Sequence, residues 1–209
     1  MANALRLGHA LECVDYRATT PLRAGQVDDT PFGGGAGMVL RVDVVEAALR
    51  ARYGVDPLEL PARRRVIALT PGGRLLDDAL AAELASEPAL TLLCGRYEGF
   101  DERILEHLCT EQVSIGRYVL AGGELAAMVV CDTVLRKLPG TLGHAESALE
   151  ESFSEALAGG VEYPHYTRPA DWRGHAVPEV LLSGHHERVR LWRLAQSRAR
   201  GGGGGDALP

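Results

Sequence analysis

Lysine is almost absent from this chain: Lys137 is the only one among 209 residues. A Gly-x-x-x-x-Gly-Lys loop therefore cannot be written anywhere in it, which excludes the usual triphosphate cradle. No Gly-x-Gly-x-x-Gly follows the first strand either, so the common dinucleotide fingerprint is missing. The four cysteines, Cys13, Cys94, Cys109 and Cys131, show no Cys-x-x-Cys spacing. That argues against zinc and against disulfides, and it fits a reducing, cytoplasmic setting. No apolar run reaches the roughly 20 residues of a membrane helix. The N-terminus carries no apolar signal segment, and the chain holds no internal repeat.

What is present is a chain with core-forming capacity: 46% of its residues are hydrophobic. The formal net charge of −6 speaks against gross nucleic-acid affinity, but the average hides a split. From Tyr163 to Arg200 there are seven arginines and four histidines against three acids, Asp171, Glu179 and Glu187. A basic segment on an acidic body can meet phosphate; charge alone equally suits a solvated face.

Apolar periodicity predicts strands at Ala10–Asp15, Val66–Leu69, Leu90–Cys94 and Gln112–Ile115, with a short extended piece at Tyr118–Leu120. It predicts helices at Arg41–Tyr53, Asp77–Ser86, Phe100–Leu108 and Leu125–Leu138, and a last one near His186–Arg198. Thr70-Pro71-Gly72-Gly73 reads as a strand breaker. Strands alternating with helices define an α/β domain with a mostly parallel sheet. The expected organisation is a domain over 1–140, a polar linker over 141–162, a helical C-terminal region over 163–200 and a low-complexity, disordered tail over 201–209.

Four glycine-rich stretches adjoin these elements: V-D-D-T-P-F-G-G-G-A-G-M (Val27–Met38), L-T-P-G-G-R-L-L-D (Leu69–Asp77), L-C-G-R-Y-E-G-F-D-E-R (Leu93–Arg103) and S-I-G-R-Y-V-L-A-G-G-E (Ser114–Glu124). Each alone is turn chemistry. Together, at strand ends, they point to a pocket built largely from backbone for a ligand with several polar edges.

These stretches, with Y-P-H-Y-T-R-P and V-P-E-V-L-L-S-G-H-H further on, resemble the bacterial tRNA (guanine-N1)-methyltransferases of the TrmD type, in order over almost the whole chain. The resemblance implies a SPOUT-type fold: a mostly parallel sheet with a deep trefoil knot, an exception to the rule against threaded chains, plus a small helical C-terminal domain. It implies a homodimer, S-adenosylmethionine as methyl donor, magnesium as a further cofactor without an assigned ligand residue, and tRNA methylated at N1 of guanosine 37. Carried over by motif, the cofactor would be held by Leu69, Thr70, Pro71, Gly95, Glu98, Ser114, Ile115, Gly116, Tyr118, Val119, Leu120, Gly122 and Gly123. The guanidinium facing the guanine maps onto Arg136. The family's catalytic aspartate, in E-D-S-F, maps onto Glu151, because this chain reads E-E-S-F.

On the RNA side the resemblance and the charge pattern single out Gly33, Gly34 and Gly35 as a loop able to close over a flipped guanine, and His165, Tyr166, Arg168, Arg188, Arg190 and Arg193 as phosphate contacts. Trp172 and Trp192 can stack a base, although the commoner expectation for both is the core. The chain departs from the family at Glu151 and at Arg117, which replaces an aspartate. It also begins past the family's first strand and shortens the helical domain. These departures raise a second reading, an RNA-binding relative without turnover.

Overall fold

The computed structural model describes residues 2–141, 151–157 and 159–201. The chain divides into two compact units, Met1–Thr141 and Leu142–Pro209.

The first unit is built on a parallel sheet. Strand β3 (Arg65–Leu75) lies in the middle, flanked by β4 (Leu90–Cys94) and β5 (Glu111–Ser114). Adjacent residues of β3 point to opposite faces, as the period of two requires. Val66 joins Val44, Val45 and Leu49 of helix α3 (Val42–Tyr53) and Ile104 of α5 (Glu102–His107). Ile67 joins Leu80 and Leu84 of α4 (Asp78–Ala85) and Val130 and Val134 of α6 (Glu124–Lys137). The unit is thus three layers, helix over sheet over helix, with both sheet faces buried. Each fully buried Val, Leu or Ile contributes about 1.5–3 kcal/mol.

Local chemistry sets the helix ends. The Asp77 side chain accepts from Leu80 N–H at 2.7 Å and starts α4. Asp101 accepts from Arg103 N–H at 3.0 Å, so α5 begins at Glu102 and not at Phe100. Gly54 closes α3 in the left-handed region, with its N–H on Arg50 O at 2.8 Å.

Several expectations are corrected. Ala10–Asp15 forms no strand, because no neighbour among the described residues pairs with it; Asp15 instead caps the short helix α2 (Tyr16–Thr19). Tyr118–Leu120 pairs into no strand among the described residues; the chain bends at Tyr118, whose hydroxyl donates to Ile115 O at 3.1 Å. Thr70–Gly73 does not end its strand. Leu69 pairs with Val113, the chain makes a four-residue excursion, and Arg74 pairs with that same Val113. A two-residue hairpin, β1 (Asp28–Asp29) with β2 (Val39–Leu40), carries the first glycine-rich loop, and the chain also holds a short helix α1 (Ala2–Arg6).

In the second unit, the described part of the expected linker is not an open connector. Phe153 N–H donates to Gly160 O at 2.8 Å and Glu162 N–H to Ser152 Oγ at 3.0 Å, closing a loop on itself. A small hairpin, β6 (Asp171–Trp172) with β7 (His175–Ala176), precedes α7 (Glu179–Leu182) and α8 (His186–Gly201). Trp172 is not a core residue: it is exposed on that hairpin, with the Arg173 guanidinium 5.3 Å from its ring. Gly201 ends α8, so the expected tail enters the helix at its first residue; residues 202–209 lie outside the described residues.

Candidate active site

All four glycine-rich stretches meet at the C-terminal ends of β4, β3 and β5, and backbone hydrogen bonds tie them to one another. Leu76 N–H donates to Ser114 O at 2.8 Å, joining the excursion after Leu69 to the stretch after β5. Thr70 Oγ1 donates to Gln112 Oε1 at 3.1 Å. Gly123 N–H donates to Gly95 O at 2.8 Å, and Arg96 bridges Gly122. Glu98 N–H donates to Met38 O at 3.0 Å, and Leu40 N–H to Gly99 O at 2.9 Å. Carboxyl ends of parallel strands are where open α/β sheets hold ligands.

Two glycines are required by close approach. A Cβ at Gly73 would lie 2.5 Å from the backbone of Gln112 and Val113, and one at Gly123 would lie 2.9 Å from Cys94 Cα. Gly37 serves a third contact: a Cβ there would overlap the Glu98 carboxylate, and its φ of +86° is left-handed. Glu98 is therefore seated against the root of the first loop.

The sequence-predicted cofactor residues all fall in this cluster. Leu69 is buried, and Ile115 and Leu120 pack beside it on the core. Gly95 and Ser114 are buried; the Ser114 hydroxyl donates to Gly116 O at 3.0 Å and accepts from Gly116 N–H at 3.2 Å. Pro71, Glu98, Tyr118 and Val119 are exposed at the rim. Cys94 ends β4 beneath the loops; burial pushes its thiol up to about 11, so it is not a nucleophile at neutral pH.

Three residues at this site escape sequence reasoning. The Arg96 Nε donates to Glu124 Oε1 at 2.7 Å, clasping the loop after β4 to the start of α6. Tyr97 is exposed and sits at φ +59°, a conformation that costs a non-glycine residue about 1 kcal/mol or more and that turns the chain before Glu98. The only sequence signal was the crowding of Gly-Arg-Tyr-Glu-Gly and Gly-Gly-Glu with residues of unassigned role.

Arg136 lies in the last turn of α6 and is exposed. On the same helix Leu125, Met128 and Val129 are exposed large apolar residues, and with Asp132 they form a stripe at helical spacing. Glu151 belongs to the second unit, at the start of the closed loop, where its carbonyl accepts from Ser154 N–H at 3.1 Å.

The other candidates are also in the second unit. His165 Nε2 is 2.8 Å from Glu162, the Tyr166 and Trp192 rings lie 6.4 Å apart, and Arg168 and Arg188 are exposed. Arg190 is paired to Glu187, and Arg193 stacks 4.6 Å over the Tyr163 ring. Those two guanidiniums are engaged within the protein, which leaves Arg168 and Arg188 as the more open cations of the set. Among the described residues, no group of three or more His, Cys, Asp or Glu is arranged to hold a metal ion, and no helix is long and apolar enough to cross a membrane.

A parallel α/β domain with backbone loops gathered at its strand ends is of the class that holds its ligands there. The family model described as tRNA (Guanine-1)-methyltransferase TrmD matches residues 2–202. A Rhodospirillum rubrum protein named tRNA (guanine-N(1)-)-methyltransferase is 54% identical over 188 residues, covering 90% of this chain and 74% of that protein. Proteins of the same name from Brevibacillus brevis and Exiguobacterium sibiricum are 52% and 50% identical, covering 90% and 91% of this chain and 76% and 74% of those proteins. This chain belongs to the TrmD family of tRNA (guanine-1)-methyltransferases.

Proposed function

We propose that this chain transfers a methyl group from S-adenosylmethionine to N1 of guanosine 37 in tRNA. The observation that carries the reading is the convergence of four glycine-rich stretches, tied by main-chain hydrogen bonds, in a member of this family.

The residues present fit the donor. Gly73 and Gly123, where a side chain would strike backbone, keep the loops close enough for main-chain N–H and C=O groups to read a purine edge. Leu69, Ile115 and Leu120 offer an apolar floor, and the Glu98 carboxylate suits a positively charged sulfonium. Bound there, S-adenosylmethionine supplies an electrophilic methyl group. Thr70, Pro71, Gly95, Ser114, Gly116, Tyr118, Val119, Gly122 and Gly123 complete the cradle. Magnesium has no assigned ligands, and no step is derived through it.

Guanine N1 carries a proton at neutral pH, so methylation there needs a base. Glu151 takes the N1 proton, and Arg136 stabilises the negative charge that develops on O6. A glutamate in place of the family's aspartate reaches one carbon–carbon bond further, about 1.5 Å. The closed loop from Ser152 to Glu162 holds the backbone from which it reaches.

The path of the chain supports the knot. β5 lies on one side of β3, yet the segment after it crosses to the end of β4 on the other side, passing the Thr70–Gly73 excursion before entering α6. The exposed stripe of Leu125, Met128 and Val129 supports a homodimer packed through α6. On this reading methyl transfer belongs to 1–140 and tRNA contacts to 163–200 and the Gly33–Gly35 loop, with Glu151 in the segment 141–162. Four unpaired cysteines suit a cytoplasmic protein. No observation favours the alternative of a relative without turnover.

Transfer of labelled methyl to an unmodified tRNA transcript tests the reading. Label retained with guanosine at position 37 and lost with adenosine there is expected. No label with either substrate, while the donor still binds, overturns it.

A further inference from the structure

The first glycine-rich loop carries a side chain with no task inside the protein. Phe32 is fully exposed, although the chain has only three phenylalanines and 46% of it is hydrophobic. Its place is set by a tight turn. Gly34 N–H donates to Pro31 O at 3.2 Å, and Gly33, the third residue of the turn, has φ +86°, as a type II turn requires. Phe32 is the second residue of that turn, so it stands at an outer corner. Gly34 and Gly35 continue at positive φ, and the loop returns to the body at Gly37, directly against Glu98. The phenyl ring is thus held out on a short arm whose root touches the carboxylate of the proposed donor site.

We propose that Phe32 is a stacking platform for an unpaired base of the substrate RNA next to the methylated guanine. The inference rests on the RNA-methylating function proposed above. An aromatic face accepts any base by stacking and needs no hydrogen-bond partner, which matches a lone phenyl ring on a loop of glycines. Single-stranded loops, whose bases can be splayed out, are the RNA elements such rings recognise. The glycines beside it let the arm swing as the RNA enters, while the Glu98 N–H to Met38 O bond keeps its root fixed.

The test uses the whole chain, with tRNA transcripts carrying 2-aminopurine beside the target guanosine. Phe32→Ala is expected to raise KM for tRNA about 5- to 150-fold, the span of base–aromatic stacking. Affinity for S-adenosylhomocysteine and the urea midpoint stay unchanged, because Phe32 buries nothing. Phe32→Trp restores KM. Quenching of 2-aminopurine on binding is seen with the unaltered chain and with Phe32→Trp, and is lost with Phe32→Ala. An active enzyme whose Phe32→Ala variant keeps its KM and its quenching overturns the inference alone. So does a variant that instead loses self-association, since the ring would then be covered by a second copy. If the unaltered chain methylates no tRNA, the functional reading fails and takes this inference with it.

Discussion

Arg96 and Glu124 face each other across Gly122. The Arg96 Nε lies 2.7 Å from Glu124 Oε1, and a Cβ on Gly122 would come within 2.9 Å of that same nitrogen. The pair closes over that glycine, where an added side chain would push the two flexible side-chain ends aside. It joins the loop after β4 to the first turn of α6, and with the Gly123 to Gly95 hydrogen bond it closes one wall of the proposed cradle.

Both side chains are half or more exposed, at 58% and 50%. Such a pair contributes little to folding, between about 0 and 1 kcal/mol. Arg96→Ala is accordingly expected to leave the urea midpoint nearly unchanged. Its kcat/KM should fall by about ten- to a hundredfold, because a loop displaced by 1 Å misplaces what it holds. Parallel denaturation and steady-state kinetics would separate the two effects; a variant that loses stability and activity in proportion would contradict this role.

In the proposed mechanism Arg136 and Glu151 carry the chemistry. Glu151→Gln removes the base without changing the shape and should lower kcat by about 10²–10⁴-fold with little effect on donor binding. Arg136→Lys keeps the charge but loses the planar fork and should also be impaired. Glu151→Asp reports whether the loop from Ser152 to Glu162 is set for the longer side chain: it is expected to be slower than the unaltered enzyme. A faster aspartate variant would show that Glu151 is an impaired base.

Acid should unfold the first unit through named carboxylates. A hydrogen bond from Arg41 holds Asp43 below the ordinary carboxylate value, and one from Arg103 does the same for Asp101. A depressed folded-state pKa gives stability that is complete above the unfolded value and is lost as pH falls through the folded one. Stability is thus expected to be flat above about pH 5 and to decline below about pH 4. Asp101 also caps α5. Asp101→Asn should flatten part of that acid decline; an unchanged acid limb in the urea midpoint would contradict the assignment.

Thiol labelling gives an independent check on the packing. Burial raises Cys94 to about 11 and Cys109 to about 12, whereas Cys13 is exposed. At pH 7.5 the native chain should alkylate first at Cys13, with Cys94 and Cys109 protected until the chain is unfolded. Fast alkylation of native Cys94 would mean that the loops above β4 do not pack as described.

Much of the first unit is legible in the sequence, because the apolar runs Val66–Leu69 and Leu90–Cys94 and the inward faces of α3 and α6 follow simple periodicity. The excursion after Leu69 was not, since Thr-Pro-Gly-Gly reads as a breaker and only the partner Val113 shows that the strand resumes. Ala10–Asp15 misled in the opposite direction: an apolar run makes a strand only beside a neighbour. The β1–β2 hairpin is too short to carry a period. Glycines mark where the candidate site lies, but not why Gly73 and Gly123 must be glycine and Gly72 need not, which depends on segments far apart in the chain. Trp172 was misplaced because size and apolarity suggest burial, while a two-residue hairpin has no core to offer.

In the proposed function, main-chain segments pressed together at the strand ends hold the methyl donor. Calorimetric titration with S-adenosylhomocysteine on the unaltered chain, Gly73→Ala and Gly72→Ala decides whether they do. A Cβ at Gly73 meets backbone at 2.5 Å, whereas one at Gly72 meets nothing within 4 Å. Saturable binding is predicted for the unaltered chain and for Gly72→Ala, with binding lost or weakened at least tenfold in Gly73→Ala. No heat from the unaltered chain, or equal affinity in all three, would contradict the account.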